Sequence, residues 1–141
     1  VVSGASGKKV DTRRPASILL ADDEPNVLLT FKAVLEDAGY DVQPAPTLSD
    51  ARNSMRKNQF DAVIAAYSLE DEGSGLELAR EAKKMPAPPA VVVYSGNPTV
   101  DKLRAAMSLR IDYFAFQPID LEEIKSALCR LIARRADLAQ A

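Results

Sequence analysis

From Ala16 onward the chain repeats one alternation five times: a short apolar run, then a stretch with apolar residues at helical spacing. Few folds accept that order. Strands joined through helices run parallel, because the helical crossover carries the chain back to the same end of the sheet. The alternation therefore predicts a doubly wound α/β domain around a five-stranded parallel sheet. The third run, Ala62–Ala66, is continuously apolar, as a strand buried on both faces should be.

The expected strands are Ser17–Ala21, Asp41–Ala45, Ala62–Ala66, Ala90–Ser95 and Asp112–Phe116. Pro25 starts the first helix, where a missing N–H has no intrahelical partner to lose. Its apolar stripe is Leu28, Phe31, Val34, Leu35 and Ala38, and Gly39 caps its end. Thr47, with Asp50 three residues on, caps the second helix, whose inner residues are Leu48, Ala51 and Met55. Gly73-Ser74-Gly75 opens the third, which runs through Met85 to Pro86, Pro88 and Pro89. Asn97-Pro98 caps and starts the fourth, with Val100, Leu103, Ala106 and Met107 inward. Asp120 with Glu123 caps the last, whose early acids and later Arg130, Arg134 and Arg135 suit the helix dipole. Residues 1–14 read as a flexible leader, 15–135 as the domain, and 136–141 as a C-terminal tail that continues as helix or linker.

Composition narrows the chemistry. A chain of 141 residues has room for one domain. At this size folding buries roughly two-thirds of the unfolded surface, so no metal or disulfide is needed for a core. Cys129 is the sole cysteine, which excludes an internal disulfide and a multi-cysteine zinc site, and it reads as packing in the last helix. Histidine is absent, which excludes Ser-His-Asp and Cys-His catalysis, HExxH metallohydrolases and a phosphohistidine role. In the leader, Lys8, Lys9, Arg13 and Arg14 against Asp11 give +3, which leaves −5 on the body at a net charge of −2. An acidic body argues against nucleic-acid binding. The apolar runs fall far short of the roughly 20 residues that span a bilayer, and Val1–Gly7 lacks the apolar stretch of a signal peptide. The protein reads as soluble and cytoplasmic.

In doubly wound folds functional groups gather where strands end at their carboxyl side. Those positions hold Asp22-Asp23-Glu24, Ala66-Tyr67-Ser68-Leu69, Ser95-Gly96-Asn97 and Gln117-Pro118. Adjacent carboxylates repel one another. Such a cluster either holds a hard cation such as Mg²⁺ or starts a helix whose dipole favours acids, and the chemistry leaves both open. A phosphate-cradling loop would need Gly and free backbone N–H groups where these acids stand, which argues against a nucleotide-binding domain.

Taken together, ILLADDEPNV, FDAVIAAYSLEDEGSGLEL, VVVYSGNP and DYFAFQPIDLEEI resemble a response-regulator receiver domain of two-component signalling, from about Ser17 to Arg135. The resemblance implies the flavodoxin-like (CheY-like) fold, a five-stranded parallel sheet with five helices. It also implies an activity: a histidine kinase gives a phosphoryl group to an aspartate ending the third strand, beside Mg²⁺ held by that aspartate and an acidic pair. Asp22 and Asp23 match the acidic pair, Ser95 the hydroxyl residue after the fourth strand, and Phe114 the switch aromatic of the fifth. Pro118 matches a proline whose preceding bond is often cis in the family.

Two positions of the phosphoryl site depart from the pattern. Ala66 stands at the phosphoacceptor and Gln117 at the lysine that contacts the phosphoryl group. Glu70 replaces a customary proline, and the loop to Gly75 is one residue longer than the commonest spacing. Alanine has no nucleophile. Without a third carboxylate, Asp22 and Asp23 hold Mg²⁺ weakly, and no cofactor is required. Gln117 carries no charge to set against a phosphoryl dianion. A carboxylate and an ammonium are lost together, so the net charge of the site is kept, as in a naturally degenerate site. Glu70, Asp71 and Glu72 lie on a loop and point to water, and Ser68 and Tyr67 have no base to activate them. Ser95 reads as a turn residue, Phe114 as core unless a phosphoryl group arrives.

The expected function is that of a pseudo-receiver, not an enzyme. It meets a histidine kinase or other signalling protein through the face of the fourth helix, fifth strand and fifth helix, with Leu103, Met107 and Leu128 as candidates. Such domains also form homodimers. The alternative is a working receiver that uses another carboxylate, or one carrying an engineered Asp-to-Ala change at Ala66.

Overall fold

The computed structural model describes residues 15–97 and 99–140; the expected leader, Pro98 and Ala141 lie outside them. The elements alternate as β1 (Ser17–Ala21), α1 (Pro25–Asp37), β2 (Asp41–Ala45), α2 (Leu48–Lys57), β3 (Ala62–Ala66), α3 (Ser74–Lys83), β4 (Ala90–Ser95), α4 (Val100–Ser108), β5 (Tyr113–Phe116) and α5 (Leu121–Gln140). The strands form one parallel sheet in the order β2-β1-β3-β4-β5. This is the expected doubly wound α/β architecture.

Strand alternation explains the two cores. Leu19, Val63, Val91 and Val93 face one way, under Ala51 and Met55 of α2, Leu78 and Ala79 of α3, and Ala106 of α4. Ile18, Leu20, Ile64 and Val92 face the other, under Phe31 and Leu35 of α1 and Ile124 and Leu128 of α5. Fully burying one such side chain contributes about 1.5–3 kcal/mol. Every residue of β3 is buried, as its unbroken apolar run requires.

Helix ends follow local chemistry. At φ +100° Gly39 takes the left-handed turn that ends α1. Its N–H donates to Glu36 O (3.0 Å) and that of Tyr40 to Leu35 O (3.1 Å), which satisfies two otherwise unpaired carbonyls. Thr47 Oγ1 accepts from Asp50 N–H at 3.0 Å to cap α2.

Several boundaries and faces differ from expectation. The cap of α4 is Thr99, whose Oγ1 accepts from Lys102 N–H at 3.1 Å, rather than Asn97-Pro98. The N–H of Asn97 is instead drawn back to Ser95 Oγ at 3.2 Å. On α4, Ala106 is buried, but Val100 and Met107 are 64% and 67% exposed, and Leu103 is exposed too. Successive residues turn about 100° around a helix. Because α4 meets the core through Ala105 and Ala106, with Leu109 just past its end, the remaining apolar residues are carried outward. At the end of α1, Ala38 is exposed. The last turn after α3 is no longer helical, and β5 begins at Tyr113, not Asp112. The expected tail is helix through Gln140. Cys129 is exposed, not packed. Leu128 is 0% exposed, so it belongs to the core and not to a partner face. Among the described residues no helix is long and apolar enough to cross a membrane.

Candidate functional site

The winding of the sheet reverses at β1, with β2 on one side and β3 on the other, and the loops that follow β1 and β3 flank a crevice at their carboxyl ends. Asp22 is the first residue past β1. Its N–H donates to Ala45 O at 3.2 Å, which ties the turn to β2. Its Oδ1 accepts from Glu24 N–H at 2.8 Å, and this bend launches α1 at Pro25. Its Oδ2 accepts a hydrogen bond from the Tyr94 hydroxyl. Asp22 is only 4% exposed, whereas Asp23 points to solvent. Burial pushes the Asp22 carboxyl above its usual range, against the two hydrogen bonds, and the charges of Asp23 and Glu24 push the same way.

Ala66 ends β3, 8% exposed, with Tyr94 as its strand partner on β4. Both side chains lie in the core layer under α1 and α5. The Tyr94 ring packs against Phe31, centroids 5.4 Å apart. The loop after β3 is fixed by its backbone: Tyr67 N–H donates to Tyr94 O at 2.8 Å and Gly75 N–H to Tyr67 O at 2.9 Å. Of the loop acids, Glu70 does not simply face water. Its Oε1 accepts from Leu48 N–H at 2.8 Å, at the start of α2.

Ser95 is buried, and its hydroxyl is engaged by the Asn97 N–H. Gln117 N–H donates to Ser95 O at 3.0 Å, so the two loop positions are held side by side. The Gln117 amide oxygen reaches over Gly96, where a Cβ would stand 2.3 Å from it. The Gln117–Pro118 peptide bond is cis. Phe114 is half-buried against the core, its ring 5.2 Å from that of exposed Phe116. Asp22, Ala66, Ser95 and Gln117 thus come together at the strand ends; Phe114 sits on β5, turned into the core.

Sequence reasoning missed Tyr94 and Lys102. A phenol at the end of a valine strand buried on both faces needs a polar partner, and that need was the available signal for Tyr94. Lys102 lies 4.9 Å over the Tyr67 ring and donates to Asn97 O at 2.8 Å. It puts a cation on the rim of the site, but on the β4–α4 side.

The Mg²⁺ implied by the resemblance does not suit this donor set. Mg²⁺ demands near-octahedral oxygen ligands. Both oxygens of Asp22 already accept protein hydrogen bonds, Asp23 is turned to solvent, and Ala66 offers none. Among the described residues no group of three or more Asp, Glu, His or Cys is placed to hold a metal ion.

Residues 18–129 match the family model of the response regulator receiver domain. The chain is 25% identical over 117 residues to the transcriptional regulatory protein GlrR of Escherichia coli, covering 83% of this chain and 26% of that protein. It therefore spans about a quarter of that curated relative's length. A receiver domain protein from Clostridium thermocellum is similar at 27% identity and a TM-score of 0.79, covering 87% of this chain and 98% of that one. The signal receiver domain of an HD domain-containing protein from Pseudomonas fluorescens superposes at a TM-score of 0.82, with 21% identity and coverage of 93% and 96%.

Proposed function

The chain belongs to the response regulator receiver domain family, and from that premise we propose that it signals by protein contact without taking up a phosphoryl group at the usual position. The observation that carries this reading is Ala66. It offers a methyl group at the end of β3, where an acyl phosphate would need a carboxylate. Two features support it. Gln117 is neutral, and the loop carboxylate closest in sequence, Glu70, is occupied with the Leu48 N–H.

The partner surface on this reading is the outer face of α4 and β5. Val100, Leu103, Met107 and Phe116 are exposed apolar side chains on those two elements. Apolar and aromatic residues of this kind anchor protein interfaces. A histidine kinase, another signalling protein or a second copy of the chain would meet this face.

Intact mass after incubation with Mg²⁺ and a small acyl-phosphate donor tests the proposal, with Ala66→Asp alongside. The expected result is no adduct on the native chain. A one-phosphoryl adduct would overturn the reading, and its mapped position would identify the replacement acceptor. An adduct on Ala66→Asp alone would show that the remaining groups still suffice for transfer.

A further inference from the structure

Asp22 is a carboxylate only 4% exposed at the end of β1. No Lys or Arg among the described residues bridges to it. A carboxylate withdrawn from water must still be hydrogen-bonded. Its two donors are the Glu24 N–H and the Tyr94 hydroxyl. The second comes from a different strand, 72 residues along the chain.

The geometry of the sheet explains how a tyrosine reaches that point. Ala66 and Tyr94 are paired in register across β3 and β4, and neighbouring strands lie about 4.8 Å apart. Their side chains share one face, so a methyl group at 66 leaves room beside it for the phenol ring. Phe31 of α1 closes the other side of that ring. The hydroxyl then ends at Asp22, where the family's cation would draw on the same carboxylate.

We propose that the Tyr94 hydroxyl takes the place of the divalent cation at Asp22, turning the acidic end of β1 into a cation-independent tie between the β1–α1 turn and β4. The phenol keeps its proton and donates it as a hydrogen bond, so the tie holds with no ion present. Tyr94 acts here as a positioning residue. This inference deepens the reading above, yet it is tested without a phosphoryl donor and so fails or stands separately.

The experiment is a titration of the full chain with Mn²⁺, following the resonance signal of the free ion. The variants are Ala66→Asp, Tyr94→Phe and the two combined. Freeing one carboxylate oxygen from a charge-assisted hydrogen bond should tighten binding about tenfold or more. The double variant is therefore expected to bind Mn²⁺ at least that much more tightly than Ala66→Asp alone. Equal affinities would overturn the proposal. A second measurement starts from the native chain: the Tyr94 hydroxyl proton should give a slowly exchanging magnetic-resonance signal. Asp22→Asn, which keeps an acceptor oxygen, should retain it, and Asp22→Ala should lose it. A native hydroxyl that exchanges freely with water would also overturn the proposal.

Discussion

The backbone of Gly75 lies against the carbonyl of Ala66 so closely that a Cβ on Gly75 would stand 1.9 Å from the carbonyl oxygen and 2.7 Å from its carbon. The first turn of α3 is thereby seated on the end of β3. Nothing in that contact can swing aside, because both parties are main chain. Gly75→Ala is expected to cost about 2–3 kcal/mol through backbone displacement, read as a lower urea midpoint. A cost under about 0.5 kcal/mol would mean that α3 can slide off β3 freely.

Gly96 makes the opposite case. A Cβ there meets the far end of the Gln117 side chain, which can rotate away. Gly96→Ala should change stability by less than about 0.5 kcal/mol. It should shift the Gln117 side-chain amide resonances, and unchanged resonances would contradict the close approach.

Leu128 and Met107 were both candidates for a partner face, and their burial separates them. Leu128 is 0% exposed under β4 and β5. Leu128→Ala should cost about 2–5 kcal/mol in chemical denaturation. Met107→Ala should stay within about 0.5 kcal/mol of the native chain and lower affinity for a partner that docks on α4. The reverse ranking in stability would refute the placement of α5.

Tyr113 gives a pH dependence. Its hydroxyl donates to Glu123 across the β5–α5 junction. That hydrogen bond, with burial and the Glu123 charge behind it, raises the phenol above its ordinary value of 10.0. Above about pH 10 the unfolded chain releases this proton while the folded chain keeps it. The contribution is therefore complete below the unfolded pKa and lost as pH rises through the folded one. Urea midpoints measured between about pH 9 and 11 should fall with pH. Burial raises the Tyr40 and Tyr94 phenols as well, so Glu123→Gln should make that fall shallower without abolishing it, and an unchanged slope would remove Glu123 as a cause.

Arg135, in the second half of α5, ties that helix to the segments that lead into β3 and β4. Nε donates to Pro88 O at 2.7 Å, Nη2 to Ala87 O at 3.1 Å and Nη1 to Asp61 Oδ1 at 3.2 Å. A lysine ammonium cannot span three acceptors arranged for a planar fork. Arg135→Lys should cost about 1–2 kcal/mol, measured by urea denaturation. A neutral outcome would show that the fork geometry carries no weight.

Much of this architecture was legible in the residues. The five strand–helix alternations, the unbroken Ala62–Ala66 run, the turn at Gly39 and the Thr47 cap are local signals, and local signals survive folding intact. The departures at Ala66 and Gln117 were equally plain, because a missing carboxylate or ammonium is a property of the residue itself. The cap of α4 was less legible: Asn97 and Thr99 are both competent capping residues, and it is the Thr99 side-chain oxygen that accepts the first-turn N–H of Lys102.

Sequence alone thus determined the fold class and which chemical groups stand at the strand ends. Tertiary structure decided what those groups touch. Tyr94 meets Asp22 72 residues away through strand register, and Gly75 meets Ala66 and Gln117 meets Gly96 through the way the loops close over the strand ends. The same holds for Met107 and Leu128: helical periodicity marks both as apolar, and only the seating of α4 and α5 on the sheet leaves one exposed and buries the other. Periodicity is written residue by residue, whereas contact depends on where whole elements come to rest.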